Sequence, residues 1–310
     1  MFSGALGSEY GISETIVKMI PLAMCGLGIA IAFRMQIWNI GAEGQFYMGA
    51  CAASWLPLTY PDLPSMIMLP GMLLLGAAAG GMWGLLAGWF KTKWLVSELI
   101  TTLMMNYIAT QLVAFFTIVW EVPKGSGKIG IINQNTNVGW LPQLFGSKYL
   151  LPIVVAVIVT VFMHIYLWYS KHGYEICVVG ESENTAKYVG IKVEKVIIRT
   201  MILSGAICGL VGLLLVGGIN HTVTTTIAGG QGFTAVLVSW MSKFNPFTMI
   251  FSSLLIVFMD RGASEISTNF GLNHSYSDIL TGIILFFIIG CEFFITYRLQ
   301  FRKKTEKEEQ

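Results

Sequence analysis

The sequence predicts an all-α fold: a polytopic transmembrane helical bundle of about eight spans, some of them broken or re-entrant. Of its 310 residues, 55% are hydrophobic and 12% are charged, whereas ordinary soluble domains carry about 25% charged residues. A bilayer-spanning helix needs about 20 mostly apolar residues, and six stretches qualify easily: Ile16–Phe33, Met66–Phe90, Leu95–Trp120, Tyr149–Tyr169, Thr200–Ile219 and Ile279–Tyr297. We therefore expect residues 1–310 to form a single transmembrane domain surrounded by lipid.

A seventh stretch, Gly41–Thr59, is interrupted at its start by the run WNIGAEGQ of residues 38–45. Its glycines permit a break in a helix, and three polar side chains accompany the break: Asn39, Glu43 and Gln45. Irregular backbone at membrane depth survives only inside protein or beside a cavity. The run therefore predicts a polar interruption within the bundle, and a short cytoplasmic turn between two spans is the alternative.

An eighth stretch, Ala228–Met259, opens with AGGQGF, which contains Gln231, and is split by SKFNPF. Pro246 in the second run cannot continue a helix without losing a hydrogen bond. Each half then has only about a dozen residues, too few to span a bilayer. We expect a re-entrant hairpin or a broken pair, and interruptions in both halves of a chain are typical of transport sites.

The stretch Leu95–Trp120 carries polar side chains four residues apart, at Glu98, Thr102 and Asn106. This spacing places them along one side of a helix, and polar groups in hydrocarbon usually face the bundle interior or a watery path. For Glu98 the alternative is a solvated carboxylate at the membrane interface. Asn106 either bonds across helices or lines a pathway.

Two glycine faces predict close helix packing. Glycines recur at steps of three or four residues in two apolar stretches, and small residues let membrane helices approach closely. They are Gly76, Gly80, Gly84 and Gly88 in one stretch, and Gly205, Gly209 and Gly212 in the other.

Lysine and arginine concentrate in loops that stay in the cytoplasm. This rule places Lys171–Arg199 and the tail 298–310 inside, and leaves Glu121–Lys148 and Asp260–Asp278 outside. Residues 1–13 would then also lie outside. We expect either that an upstream helix is absent from the sequence or that Gly41–Thr59 does not cross fully.

The segment Lys171–Arg199 has helical character in the run ESENTAKYVGIKVEKV. A solvated loop has no need of the apolar residues in this run, so we expect a short surface helix that docks on a partner. The chain itself contains no GxxxxGK[ST] phosphate loop, and no catalytic triad or metal cluster indicates an enzyme. The basic residues form no single patch that would indicate nucleic acid.

Several motifs together resemble those of one family. WNIGAEGQF, VSELITTLMMNYIA, GYEICVVGESENTAKYVGI, SGAICGLVG and GGQGFTAVLVSWMSKFNPF resemble segments of permease subunits of bacterial ABC importers in the branched-chain amino acid, simple sugar and nucleoside group. The nucleoside-type members are the most similar. The chain departs from the family where Ile176 and Cys177 follow Glu175, because family members usually have an arginine two residues after this glutamate.

The resemblance implies a transport subunit of the plasma membrane with a cytoplasmic C-terminus, no cofactor of its own, and ATP used by a partner. The implied partners are an ABC ATPase, a second permease subunit and an extracellular substrate-binding lipoprotein. The residues expected to line or brace the substrate pathway are Asn39, Glu43, Gln45, Glu98, Thr102, Asn106 and Gln231. Those expected to couple to the ATPase are Glu181, Asn184, Ala186, Tyr188, Gly190 and Ile191.

Nucleoside import is the function that this resemblance favours. A simple-sugar permease of the ribose or galactose type is an alternative, because such solutes need similar hydrogen-bonding groups. An ion-coupled secondary transporter is a further alternative, because broken helices with carboxylates also suit a cation-coupled site.

Overall fold

The structure, a computed structural model, describes residues 7, 9–144 and 146–296, so the predicted cytoplasmic tail 298–310 lies outside the described residues. The described part is all-α. Its helices are α1 (Glu9–Arg34), α2 (Ala42–Thr59), α3 (Ser65–Trp94), α4 (Glu98–Val119), α5 (Leu150–Tyr169), α6 (Lys171–Glu181), α7 (Glu183–Tyr188), α8 (Val193–Leu215, extended by a π-turn over Val216–Asn220), α9 (Gln231–Met241), α10 (Pro246–Asn269) and α11 (His274–Thr296).

Six helices of the described part are long and apolar enough to cross a membrane: α1, α3, α4, α5, α8 with its π-turn, and α10. In α11 the described residues contain a shorter apolar stretch, Ser275–Ile288. The 18-residue α2 is less apolar, but most of its residues are buried among its neighbours. It therefore lies inside the bundle and meets little lipid.

Glycines bring the backbones of α2, α3 and α8 together, as the two glycine faces predict. A Cβ atom added to Gly80 would lie 2.7 Å from Gly209 Cα, and one added to Gly212 would lie 2.5 Å from the Ala50 amide nitrogen. Real Cβ atoms do not approach other atoms this closely. These three helices therefore form the most tightly packed part of the bundle. The position of α8 depends on the glycines at these contacts, which have no side chains to hold the backbones apart.

Helix α1 is the central helix of the core. Its side chains from Met24 to Ile31 are almost fully buried, and it packs against α8, α9 and α10. The helix ends at Arg34, whose guanidinium lies 4.5 Å from the centre of the Trp168 ring. The chain then runs through residues 35–41 into α2, and this connection is the first interruption.

The second interruption has unequal halves. Helix α9 has 11 residues, as the sequence predicts, but α10 has 24, so the prediction of two short halves is wrong for α10. The charged pair Asp260 and Arg261, which the sequence places outside, lies within α10. Lys18 Nζ lies 3.3 Å from Asp260 Oδ2, and Arg261 binds the Glu14 carboxylate through both terminal nitrogens. These pairs with α1 neutralise both charges within α10, which continues to Asn269.

The stretch between α4 and α5 packs on the C-terminal ends of α2 and α8. Trp140 stacks on His221, with ring centres 3.8 Å apart, and the Leu141 amide donates to the Gly217 carbonyl at 2.7 Å. The Asn133 side chain donates to the Pro57 carbonyl at 2.9 Å. These contacts order a predicted outside surface over the end of the glycine-packed core.

Candidate functional site

The first interruption is both a connection between two helices and a buried polar site. Asn39 is fully buried. Its Oδ1 accepts hydrogen bonds from the Gly41 amide at 3.0 Å and from Gln45 Nε2 at 3.2 Å, and its Nδ2 donates to Ser204 Oγ on α8 at 2.8 Å. Buried polar groups must be hydrogen-bonded to avoid a large desolvation cost. Asn39 thus joins this connection to α2 and α8.

Helix α4 satisfies the remaining backbone groups of the interruption. Asn106 Oδ1 accepts from the Gly44 amide at 2.8 Å, and its Nδ2 donates to the Ile40 carbonyl at 2.9 Å. Thr102 Oγ1 accepts from the Ile40 amide at 3.3 Å and donates to the Glu98 carbonyl at 2.7 Å. Asn106 therefore bonds across helices, and whether it also lines a pathway stays a prediction.

The Glu98 side chain is separate from this network. It begins α4 and is 9% exposed, and Lys91 Nζ lies 2.8 Å from its Oε2. Lys91 is in the last turn of α3. The carboxylate therefore belongs to an ion pair that joins α3 to α4 at the predicted cytoplasmic side, and it is Thr102 that links α4 to the interruption.

Glu43 connects the two interruptions. Its Oε1 accepts from the Gly230 amide, just before α9, at 3.2 Å. The approach is close because residue 232 is glycine: a Cβ there would lie 2.5 Å from the Glu43 amide nitrogen. Gln231 follows Gly230, and its Oε1 is buried with no hydrogen-bond donor among the described residues.

The structure therefore divides the predicted pathway residues into two groups. Asn39, Gln45, Thr102 and Asn106 form one hydrogen-bonded network that holds the interruption in place. Gln231 begins α9, and Glu43 in α2 binds the backbone just before it. Whether either group lines a pathway stays a prediction.

Four charged residues and a serine that the sequence did not single out also form polar contacts between helices. Ser204 binds Asn39, and the ion pairs formed by Glu14, Lys18, Asp260 and Arg261 join α1 to α10. A signal for the pairs does exist in the sequence. Glu14 and Lys18 lie four residues apart at the start of one apolar stretch, and Asp260 and Arg261 are adjacent at the end of another. These opposite charges can neutralise each other.

The predicted coupling segment folds as two short helices, α6 and α7, at the start of α8. Tyr188 is 94% exposed and Val189 is 63% exposed, whereas Ala186 is fully buried. Glu181, Asn184 and Gly190 are exposed, and Ile191 is half-buried. The exposed residues are free to contact a partner, while Ala186 packs inward and fixes the position of α7.

An ion pair fastens this segment to α8. Arg199 donates to Glu175 Oε2 at 2.8 Å, and His172 Nδ1 lies 3.5 Å from the same oxygen. The hydrogen bond from Arg199 lowers the pKa of Glu175, so the pair stays charged at neutral pH. Family members usually have an arginine at the position of Cys177. In this chain Arg199, 24 residues after Glu175, pairs with that glutamate instead.

The chain is similar to known transport proteins along most of its length. It is 32% identical to the guanosine ABC transporter permease protein NupP of Bacillus subtilis, over 93% of this chain and 83% of that protein. It is 29% identical to the nucleoside ABC transporter permease protein NupB of Lactococcus lactis, over 93% and 81%. It is 27% identical to the glucose ABC transporter permease protein TsgB13 of Haloferax volcanii, over 96% and 81%.

A solved structure described as a metal-chelate type ABC transporter in an inward-facing conformation has the same fold. It superposes with a TM-score of 0.51 over 90% of this chain and 83% of that chain, at 14% identity. The family described as "Branched-chain amino acid transport system / permease component" matches residues 11–289. With six apolar helices able to cross a membrane in the part that the structure describes, the chain is a multi-pass membrane protein that belongs to this permease family.

Proposed function

We propose that this chain is the membrane-spanning subunit of an ATP-driven importer that moves nucleosides into the cell. The observation that carries the proposal is similarity, over 93% of the chain, to two permeases named for guanosine and for nucleosides. Nucleosides are uncharged and rich in hydrogen-bonding groups. At the two interruptions, Glu43 Oε2 and Gln231 Oε1 are buried without a hydrogen-bond partner among the described residues, and both can accept hydrogen bonds from such a solute.

The proposal assigns ATP hydrolysis to a separate ABC ATPase, and adds a second permease and an extracellular binding lipoprotein as partners. It also places the chain in the plasma membrane with its C-terminus in the cytoplasm. The excess of basic residues in Lys171–Arg199 supports this orientation.

The packing of the coupling segment suggests how an ATPase would act on the permease. A Cβ at Gly180, in α6, would lie 3.1 Å from Met35 Cα, at the start of the first interruption. The same segment is joined to α8 by Glu175 and Arg199. Closure of the ATPase would press on residues 181–195, and the displacement would reach α1 and α8 together. The helices would then rock and expose the pathway first outside and then inside.

Replacing Tyr188 with aspartate is expected to uncouple transport from ATP hydrolysis. Tyr188 is 94% exposed, so its replacement leaves the fold intact, and buried aromatic anchors at interfaces typically contribute about 2 kcal/mol or more. Uptake is expected to fall at least about tenfold, which corresponds to 1.4 kcal/mol. The measurements are labelled-nucleoside uptake and ATP hydrolysis by the assembled transporter.

The matched control is Tyr60→Asp, because Tyr60 is also exposed but follows α2 at the opposite, predicted outer end. It is expected to keep normal coupling. Normal uptake in the Tyr188 variant would remove this residue from the docking contact.

A simple-sugar permease is the second candidate, and the similarity to the glucose permease TsgB13 favours it. Uptake assays separate the nucleoside candidate from the sugar candidate. They compare a strain that carries all the transporter genes with the same strain from which only this gene is deleted. We expect gene-dependent uptake of labelled guanosine or uridine. Gene-dependent uptake of ribose, galactose or glucose, without uptake of nucleosides, would establish the sugar candidate instead.

A further inference from the structure

A cavity of about 310 Å³ lies among α1, α5, α8 and α9, in the half of the chain predicted to be the outer one. Its volume is at the small end of the range found for ligand sites, about 300–1,000 Å³. Half of its lining residues are apolar. Its polar and aromatic lining consists of Glu14, Lys18, Tyr149, Asn220 and Gln231.

Both charged residues that line this cavity are paired. Glu14 is bound by Arg261 through both carboxylate oxygens, and Lys18 pairs with Asp260 at 3.3 Å. A further positive group, Lys148 Nζ, lies 5.1 Å from the centre of the Tyr149 ring at the edge of the cavity. Because the charged groups of the lining itself are neutralised by their partners, the lining suits a neutral solute with hydrogen-bonding groups.

Gln231 provides an unused hydrogen-bond acceptor at the floor of the cavity. Its Oε1 is buried and accepts no hydrogen bond from the described residues, although buried polar groups are normally paired. Helix α9 rises about 16 Å over its 11 residues, from the turn at Ser242–Asn245. Since that turn lies near Phe33 at the cytoplasmic end of α1, Gln231 reaches roughly the middle of a hydrocarbon core about 30 Å thick.

The re-entrant helix α9 separates this outer cavity from an inner one. At its other end, Trp240 stacks on Trp38 with ring centres 5.5 Å apart. There a second cavity of about 310 Å³ is lined by Phe33, Gln36, Ile37, Trp38, Trp240 and Phe244. Helix α9 thus lies as a short barrier between a polar cavity and an aromatic one.

We propose that the outer cavity is a binding site for a neutral nucleoside within the protomer, with Gln231 as the hydrogen-bonding group at its floor and α9 as the barrier beneath it. The solute class rests on the proposed function. The site is reached from outside, and it holds the solute above α9 before the helices rearrange.

Cysteine labelling in whole cells tests this site directly. A Gln231→Cys variant, in a background with Cys177→Ser and Cys291→Ser to remove the less buried natural cysteines, is treated with a membrane-impermeant maleimide. We expect labelling from outside and saturable protection by guanosine or uridine. At ten times the dissociation constant, labelling should slow about elevenfold, because only the unliganded fraction reacts. An unrelated neutral solute such as glycerol should give no protection.

Asn135→Cys is the control, because Asn135 is exposed in the stretch between α4 and α5 and does not line the cavity. It is expected to react from outside at a rate that nucleosides do not change. If the Gln231 variant does not reach the membrane, Ile227→Cys replaces it, because Ile227 lines the same cavity.

Nucleoside uptake by the same cells separates the two proposals. If the wild-type transporter takes up nucleosides but the cavity cysteine is unlabelled, or is labelled without protection, the site is wrong and the proposed function stands. If the wild type takes up no nucleoside, the proposed function itself fails. Protection by a sugar alone would assign the site to the sugar candidate.

Discussion

Replacing Gly80 with leucine is expected to prevent correct assembly of the bundle. A Cβ at this position would lie 2.7 Å from Gly209 Cα and 2.9 Å from the Gly209 amide nitrogen. Both are backbone atoms, which cannot move aside as a flexible side chain can. Overpacking of a well-packed core costs typically 1–3 kcal/mol and occasionally more, and here α3 and α8 must separate along their whole contact. We expect a loss of more than about 3 kcal/mol, measured as membrane yield and melting temperature in detergent.

The control is Gly282→Leu. Gly282 is also within a helix, but a Cβ there would have no atom within 4 Å. Its leucine variant is expected to accumulate and melt like the wild type. Equal behaviour of the two variants would mean that the glycine contact between α3 and α8 does not hold the bundle together.

Replacing Asn106 with leucine is expected to destabilise the protein strongly. The change leaves the Gly44 amide and the Ile40 carbonyl without their side-chain partner. Each unsatisfied buried group costs about 1–3 kcal/mol, and no water in the bilayer core replaces the lost bond. The sum is roughly 2–6 kcal/mol, enough to unfold a marginal protein. The measurement is thermal or denaturant unfolding of the purified chain.

The Asn106→Leu variant also shows whether Asn106 braces the interruption or lines the substrate pathway. If Asn106 braces the interruption, stability falls. If it contacts only the solute, stability is unchanged and the Michaelis constant for uptake rises. Gln111→Leu is the control, because Gln111 is an exposed amide one turn further along α4, and its loss is expected to leave stability within about 0.5 kcal/mol.

Much of this fold follows from the sequence, because hydrocarbon imposes simple rules. The apolar stretches predict where helices lie, since every backbone group must be satisfied within the membrane. The spacing of Gly80 and Gly209 with their neighbours predicts close packing. The short helix α9 follows from Pro246, which ends any continuous helix before it.

The length of α10 could not be predicted in the same way. Asp260 and Arg261 end the apolar stretch in the sequence, but the helix continues past them, and both residues pair with residues of α1, Lys18 and Glu14. That pairing depends on how α1 and α10 pack. Spacing along a single helix does not specify such a contact between distant segments.

The candidate site, like the fold, could be predicted only in part from the sequence. The four-residue spacing of Glu98, Thr102 and Asn106 predicts that they share a face, which they do. It does not predict that Thr102 and Asn106 bind the backbone of the interruption at Ile40 and Gly44. Asn39 and Gln45 at the break bind each other and nearby protein groups, so a polar run in an apolar sequence indicates an interruption of the helix before it indicates a ligand.

The cavity above α9 could not be predicted from the sequence. Only Gln231 among its lining residues was a candidate, because the others come from the ends of helices that are far apart in the chain. A cavity is a property of packing, and apolar residues such as Leu215 and Ile227 line it without any distinctive pattern.

Transport by purified components in lipid vesicles tests the central claim most directly. The chain is reconstituted with its ATPase, second permease and binding lipoprotein, and uptake of labelled guanosine is followed with ATP or with a sodium or proton gradient. We predict uptake only when ATP and the ATPase are both present. Uptake by this chain alone, driven by an ion gradient without the ATPase, would contradict the claim and identify a secondary transporter.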